Sequence, residues 1–80
     1  MSQIEKLLKK FISSPHTVAY KDIERLLRHA NFERIQAKGS HVKWKHSHRR
    51  SDIIVPVHKN DCKPFYKKMI AEIIRDIHNP

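Results

Sequence analysis

Read for hydrophobic spacing, the chain divides into segments of two different periods. Ile4, Leu7, Leu8, Phe11 and Ile12 form the apolar stripe of an amphipathic helix, with Glu5, Lys6, Lys9 and Lys10 on its outer side. Ser13-Ser14-Pro15 ends it, because the residue before a proline is pushed out of the α region. A second stripe runs through Ile23, Leu26, Leu27 and Ala30, with Asp22 and Glu24 near its start and Arg28 and His29 near its end. That charge order suits the helix dipole. Asn31 then falls where a helix C′ residue belongs, a position that wants positive φ and that Asn tolerates best after Gly.

From Phe32 onward the period is two. Val42, Trp44 and His46 share one face of a strand, and His41, Lys43 and Lys45 share the other. Phe32 to Lys38 is expected to form a preceding strand that turns through Gly39-Ser40. Ile53-Ile54-Val55-Pro56-Val57 is a β-branched strand that Pro56 marks as an edge or an end. Ser47 to Asp52 is the polar hairpin loop between them. A hairpin symmetric about Arg49 and Arg50 sets His41 opposite His58, Lys43 opposite Pro56 and Lys45 opposite Ile54, with Val42 facing Val57 and Trp44 facing Val55. Pro64 suits the first turn of a last helix, whose expected buried stripe is Phe65, Met69, Ile70, Ile73, Ile74 and Ile77. The order α-α-β-β-β-α predicts a two-layer α+β domain, a three-stranded antiparallel sheet with helices on one face.

Composition narrows the function. Eighty residues suffice for one small core, and a single Gly with 39% apolar residues argues against a disordered or fibrous chain. Seventeen Lys and Arg against eight acidic residues leave a net charge of +9, which calls for an acidic partner, nucleic acid first among them. Cys62 is the only cysteine, so no internal disulfide forms. The apolar runs are too short for a spanning helix or a signal-peptide core, and a cytoplasmic location is the default expectation. The basic, amphipathic first helix fits a membrane surface less well than it fits a core short of apolar cover.

The charge has a shape. No acidic residue stands between Glu33 and Asp52, while Arg34, Lys38, Lys43, Lys45, Arg49 and Arg50 do, with His41, His46 and His48. On an open sheet face such a stripe suits a phosphate backbone. Histidines beside lysines suit RNA cleavage, because RNA carries its own nucleophile in the 2′-hydroxyl. The reaction then needs a base, an acid and cations for the phosphorane, and an imidazole, with an ordinary pKa of about 6.5, serves as either acid or base. No metal or other cofactor is called for. A zinc site from His46, His48, His58 and Cys62 lacks the spacing of a finger or ribbon. Cys62 is a small packing residue with no base beside it in sequence, and Trp44 belongs to the core rather than to a base-stacking surface.

The order of these signals resembles one family. A helix ending Leu26-Leu27-Arg28-His29-Ala30-Asn31-Phe32-Glu33 leads to Gln36-Ala37-Lys38-Gly39-Ser40-His41, then to Val55-Pro56-Val57-His58 and an Ile-rich helix. This is similar to the HicA mRNA interferases of type II toxin–antitoxin systems over about Tyr20 to Ile77. The Gly-Ser-His and Val-Pro-x-His elements carry the likeness. It implies a fold like the double-stranded-RNA-binding domain, endoribonuclease activity dependent on the motif histidine, here His41, and a HicB-like antitoxin that covers the active face. Two departures stand out. Asn31 replaces the usual Gly, and residues 1–19 add a helix and linker ahead of the HicA-like domain at 20–80, within one domain overall.

The site expected on these grounds has His41 as general acid or base and His58 as a second candidate proton-transfer group. Lys38, Ser40, Lys43, Lys45, Arg49 and Arg50 are the expected RNA-binding residues, with closure of the turn the favoured alternative for the Ser40 hydroxyl. A non-catalytic RNA-binding module of the same fold would share the basic stripe without needing His41. A basic protein-interaction domain would bind a protein without salt-sensitive RNA affinity.

Overall fold

Helix α1 (Gln3–Ser13) begins where Ser2 accepts the Glu5 N–H on its Oγ at 3.2 Å, and it ends two residues before Pro15. In this computed structural model, which describes residues 2–78, a short 3-10 turn over Pro15–Thr17 leads into α2 (Tyr20–His29). The end of α2 is a Schellman motif. Asn31 takes φ 70° and donates to the Arg28 carbonyl at 3.0 Å, and Phe32 donates to the Leu27 carbonyl at 2.9 Å. The chain thus turns sharply into β1 (Glu33–Gln36), followed by β2 (His41–Lys45), β3 (Ile53–Pro56) and α3 (Pro64–His78). The strands form an antiparallel meander in the order β1-β2-β3. The class and element order are those expected from the hydrophobic spacing.

The helices cover one face of the sheet. Val42, Trp44, Ile53 and Val55 point into a single core with Leu8 and Phe11 of α1, Ile23, Leu26 and Leu27 of α2, and Ile70, Ala71 and Ile74 of α3. Trp44 sits at its centre with 0% exposure; its indole N–H donates to the Tyr20 Oη at 3.0 Å and its ring lies 5.5 Å from the Arg28 guanidinium. Burial removes water from the Tyr20 phenol and pushes its pKa up to about 12, against the smaller opposing effect of the indole hydrogen bond. On the same side, Arg34 reaches Glu24 at 3.3 Å and ties the edge strand β1 to α2.

Three expectations need correction. The first strand is confined to Glu33–Gln36, because Lys38–His41 forms a hydrogen-bonded turn. Phe65 does not belong to the buried stripe of α3: it is 69% exposed. That stripe runs through Lys67, Ile70, Ala71 and Ile74, and Phe65, two residues or about 200° of helix from Lys67, falls on the other side.

The β2–β3 register is also two residues away from the symmetric one. His41 faces Pro56, Val42 faces Val55, Lys43 faces Ile54 and Trp44 faces Ile53. A slip of two preserves which side chains face the core, so the alternation along β2 was read correctly while the pairing was not. The cause lies in the loop. His46 is buried at 7% exposure with its ring centroid 4.8 Å from that of Phe32. Its Nδ1 accepts the His48 N–H at 3.1 Å, and its carbonyl accepts the Arg49 N–H at 3.1 Å. The chain therefore turns at His46–Arg49, earlier than a loop centred on the two arginines would.

Candidate active site on the open face of the sheet

Because all three helices pack on one side, the other face of the sheet carries the alternate residues of each strand. Along β2 these are His41, Lys43 and Lys45, with His41 and Lys45 exposed and Lys43 half-buried. Ile35 and Ile54 flank Lys43 across the two neighbouring strands, and Ile54 is 50% exposed. Lys45 faces Glu33, and the Lys43 Nζ lies 3.8 Å from Asp52 Oδ2. The face is thus a row of cations between exposed isoleucines, with Asp52 beside Lys43 and Glu33 across from Lys45.

His41 opens β2 from a tight turn. Its N–H donates to the Lys38 carbonyl at 3.2 Å, and Gly39 within that turn takes φ 63°. A Cβ at Gly39 would meet nothing within 4 Å, so glycine is needed there for its backbone freedom and not for space. The Ser40 carbonyl accepts the Val57 N–H at 2.9 Å, which pins this turn to the end of β3. Among the described residues the His41 side chain makes no hydrogen bond or ion pair. It is a free imidazole on a fixed backbone.

His58 lies just beyond β3, at the same end of the sheet as His41 but not opposite it. It starts a second tight turn, in which His58 and Asp61 exchange both backbone hydrogen bonds, at 2.8 and 3.0 Å. Lys59 and Asn60 between them take φ 52° and 63°, the pattern of a type I′ turn and a strained one for lysine. Lys67, buried at 5% exposure on α3, locks this turn by reaching Asp61 Oδ1 at 3.1 Å. Desolvation opposes ionisation of Asp61, but the Lys67 hydrogen bond and charge and the Cys62 N–H outweigh it, so its carboxyl titrates below the usual range. Burial pushes the neighbouring Cys62 thiol up to about 11, which leaves it an unreactive thiol at neutral pH.

The remaining expected residues are distributed along the strand. Lys38 belongs to the His41 turn, whereas Arg49 and Arg50 lie in the loop at the other end of β2, roughly 13 Å away along the strand. Lys38 is tied to His41 by the turn hydrogen bond, Ser40 precedes it in the chain, and Lys43 is the next residue of β2 on its face. The sequence reading did not single out Lys59, Lys63 and Lys67, although the first two are exposed cations at the His41 end. A signal existed for the turn: Asn60-Asp61 is turn-forming chemistry between a strand and a helix. Among the described residues, no group of three or more His, Cys, Asp or Glu side chains is placed to hold a metal ion. No described helix is long and apolar enough to cross a membrane.

The protein is thus a two-layer α+β domain with an open, basic sheet face and a free histidine at the end of its central strand. The model of one protein family, the HicA toxin of bacterial toxin–antitoxin systems, matches residues 20–77. The match covers well over half of the chain, and the protein belongs to the HicA toxin family. It is therefore the toxin component of a toxin–antitoxin system, in a family whose members generally cleave RNA and are paired with a cognate antitoxin. No curated protein and no solved structure matches the chain. The match begins at Tyr20, so α1 lies outside it even though Leu8 and Phe11 are buried in the shared core.

Proposed function

We propose that this toxin is a metal-independent endoribonuclease that cuts mRNA through attack of a 2′-hydroxyl on the adjacent phosphate, with His41 as the proton-transfer group. The observation that carries the reading is the position of His41: exposed, without a side-chain partner among the described residues, and at the head of the cationic row on the uncovered face. The nucleophile belongs to the substrate, so the protein has to remove a proton, return one to the departing 5′-oxygen and stabilise the phosphorane. Cleavage leaves a 2′,3′-cyclic phosphate and a free 5′-hydroxyl. His41 takes or gives one of these protons, and His58, at the same end of the sheet, is the candidate for the other.

Lys38 and Lys43 adjoin the reacting phosphate and supply its electrostatic stabilisation. Lys45, Arg49 and Arg50 hold phosphates further along the strand, where a single strand of RNA laid along β2 would pass. The Ser40 carbonyl already has a structural task on Val57, and its hydroxyl is left to contact the scissile phosphate. A HicB-like antitoxin silences the enzyme by covering this face, where Ile35 and Ile54 offer apolar anchors beside Lys43.

The test is cleavage of a defined single-stranded RNA in the presence of a chelator, by the wild type and by His41→Ala, both shown to be folded. Cutting by the wild type with a loss of at least about a hundredfold in the variant is expected. Equal cutting by both would place the catalyst elsewhere. Binding without cutting by either would make the protein an RNA-binding module, and salt-insensitive binding to protein alone would make it an interaction domain.

A further inference from the structure

Phe65 is the most exposed large apolar side chain among the described residues, and it contributes nothing to the core. Its ring is held edge-on against Tyr66, with centroids 5.1 Å apart and planes at 85°. Tyr66 in turn forms one wall of a cleft of about 310 Å³ whose other lining residues are Pro56, His58, Asp61, Cys62 and Lys63. Pro56 is the cross-strand partner of His41, so the cleft begins one residue across the sheet from the proposed catalytic group. The only carboxylate in it, Asp61, is already neutralised by Lys67 at 3.1 Å. Lys63 has no carboxylate within 4 Å among the described residues.

An isolated exposed aromatic needs no explanation by itself. Here it packs on the Tyr66 wall of a cleft of mixed polar and apolar lining that holds an unpaired cation, directly beside a face suited to phosphates. Water solvates such a pair of rings poorly, and the ligand that offers a flat π-face together with a negative charge is a nucleotide. We propose that the Phe65–Tyr66 ledge and the adjoining cleft bind one nucleobase of the RNA strand, next to the nucleotide whose phosphate faces His41, with Lys63 on the intervening phosphate. This rests on the ribonuclease reading and deepens it. A base can reach the ledge only when it is unpaired, so the site makes the toxin selective for single-stranded RNA.

The experiment uses the full chain carrying His41→Ala, so that substrate survives, and a short fluorescein-labelled unpaired oligoribonucleotide read by anisotropy. Adding Phe65→Ala is expected to weaken binding roughly tenfold without changing its salt dependence. Lys63→Ala should lower the salt slope by about one phosphate. Phe65→Trp should retain the affinity, and its new indole should be quenched on RNA binding while Trp44 stays buried. The same oligonucleotide as a perfect duplex should bind equally with and without Phe65. Because Phe65 is exposed, these variants should keep the urea midpoint of their parent. If the toxin binds RNA and Phe65→Ala binds as tightly, or loses only antitoxin binding, the base site is wrong while the ribonuclease reading stands. If no protein binds RNA, both fall together.

Discussion

His41 and His46 stand five residues apart at the two ends of β2, and their surroundings are opposites. His46 points to the core side, packs at a tilt against Phe32, and uses its Nδ1 to hold the loop that follows. His41 points to the open side, and among the described residues only its backbone is engaged. The strand period alone separates them, since an odd offset places two residues on opposite faces. One imidazole is a structural part, and the other has an exposed side chain with no hydrogen bond or ion pair among the described residues. A histidine therefore means little by its identity, and its parity relative to Trp44 is what matters.

The comparison breaks most sharply if the two histidines are exchanged for alanine in turn. His41→Ala should abolish RNA cleavage while changing stability by no more than about 0.5 kcal/mol, as for an exposed residue without partners. His46→Ala should do the reverse. It removes a buried ring and a loop hydrogen bond, and should cost about 1–3 kcal/mol in urea unfolding while leaving cleavage intact at temperatures where the protein is folded. Loss of stability in His41→Ala, or loss of cleavage in folded His46→Ala, would show that the two ends are not functionally separate.

The same parity explains what was legible before the fold was known. Alternation along β2 and the αL requirement at Asn31 are local, and both were readable from single residues and their neighbours. The pairing of β2 with β3 was not, because it depends on where the chain leaves β2, and that depends on His46 packing under Phe32. The Phe65 exposure was missed for a related reason. Leu, Ile and Phe all score as apolar, and only tertiary packing, here against α1, α2 and the Pro15–Thr17 turn, decides which side of α3 is covered. Of the candidate site, the His41 turn and the cations of β2 were legible, whereas the Lys67–Asp61 lock on the His58 turn joins residues from different elements and has no local signal.

The buried side sharpens the contrast through its response to pH. The Tyr20 phenol, which accepts the Trp44 indole hydrogen bond, has its pKa raised from 10.0 to about 12, and the Cys62 thiol is raised from 9.0 to about 11. Both groups bind protons more tightly when folded, so their stabilising contribution is complete below the unfolded values and lost as pH rises through the folded ones. Urea midpoints should fall between about pH 9 and pH 12, and Tyr20→Phe should remove its share of that slope. At neutral pH the same substitution leaves the indole N–H without its partner and should cost about 1–2 kcal/mol. A flat alkaline profile would mean that Tyr20 and Cys62 are reached by water in the folded state.

On the open face the smaller effects concern charge. Lys43 shares its charge with Asp52 at 3.8 Å, whereas Lys45 has no ion pair among the described residues. Lys45→Ala should therefore reduce the salt slope of RNA binding by about one phosphate, and Lys43→Ala by less. Asp52→Asn should tighten RNA binding a few-fold at low salt and change stability by less than about 1 kcal/mol, since a surface ion pair contributes little. Weaker binding by Asp52→Asn would mean that the Asp52 contact positions Lys43 rather than competing for it.

The last test concerns the backbone that presents the two faces. Asn31 and Lys59 are both held at positive φ, at 70° and 52°, one at the turn leading into β1 and the other in the turn that carries His58. Asn tolerates that region and Lys does not, so the two positions should respond differently to glycine. Asn31→Gly should change stability by only a few tenths of a kcal/mol, because relief of strain is offset by the added freedom of the unfolded chain. Lys59→Gly should stabilise by about 0.5–1 kcal/mol, because the strain relieved is larger. It also removes a cation from the His41 end. If cleavage then falls while stability rises, the strained lysine is retained for its charge; if both rise, its place in the turn has no bearing on RNA.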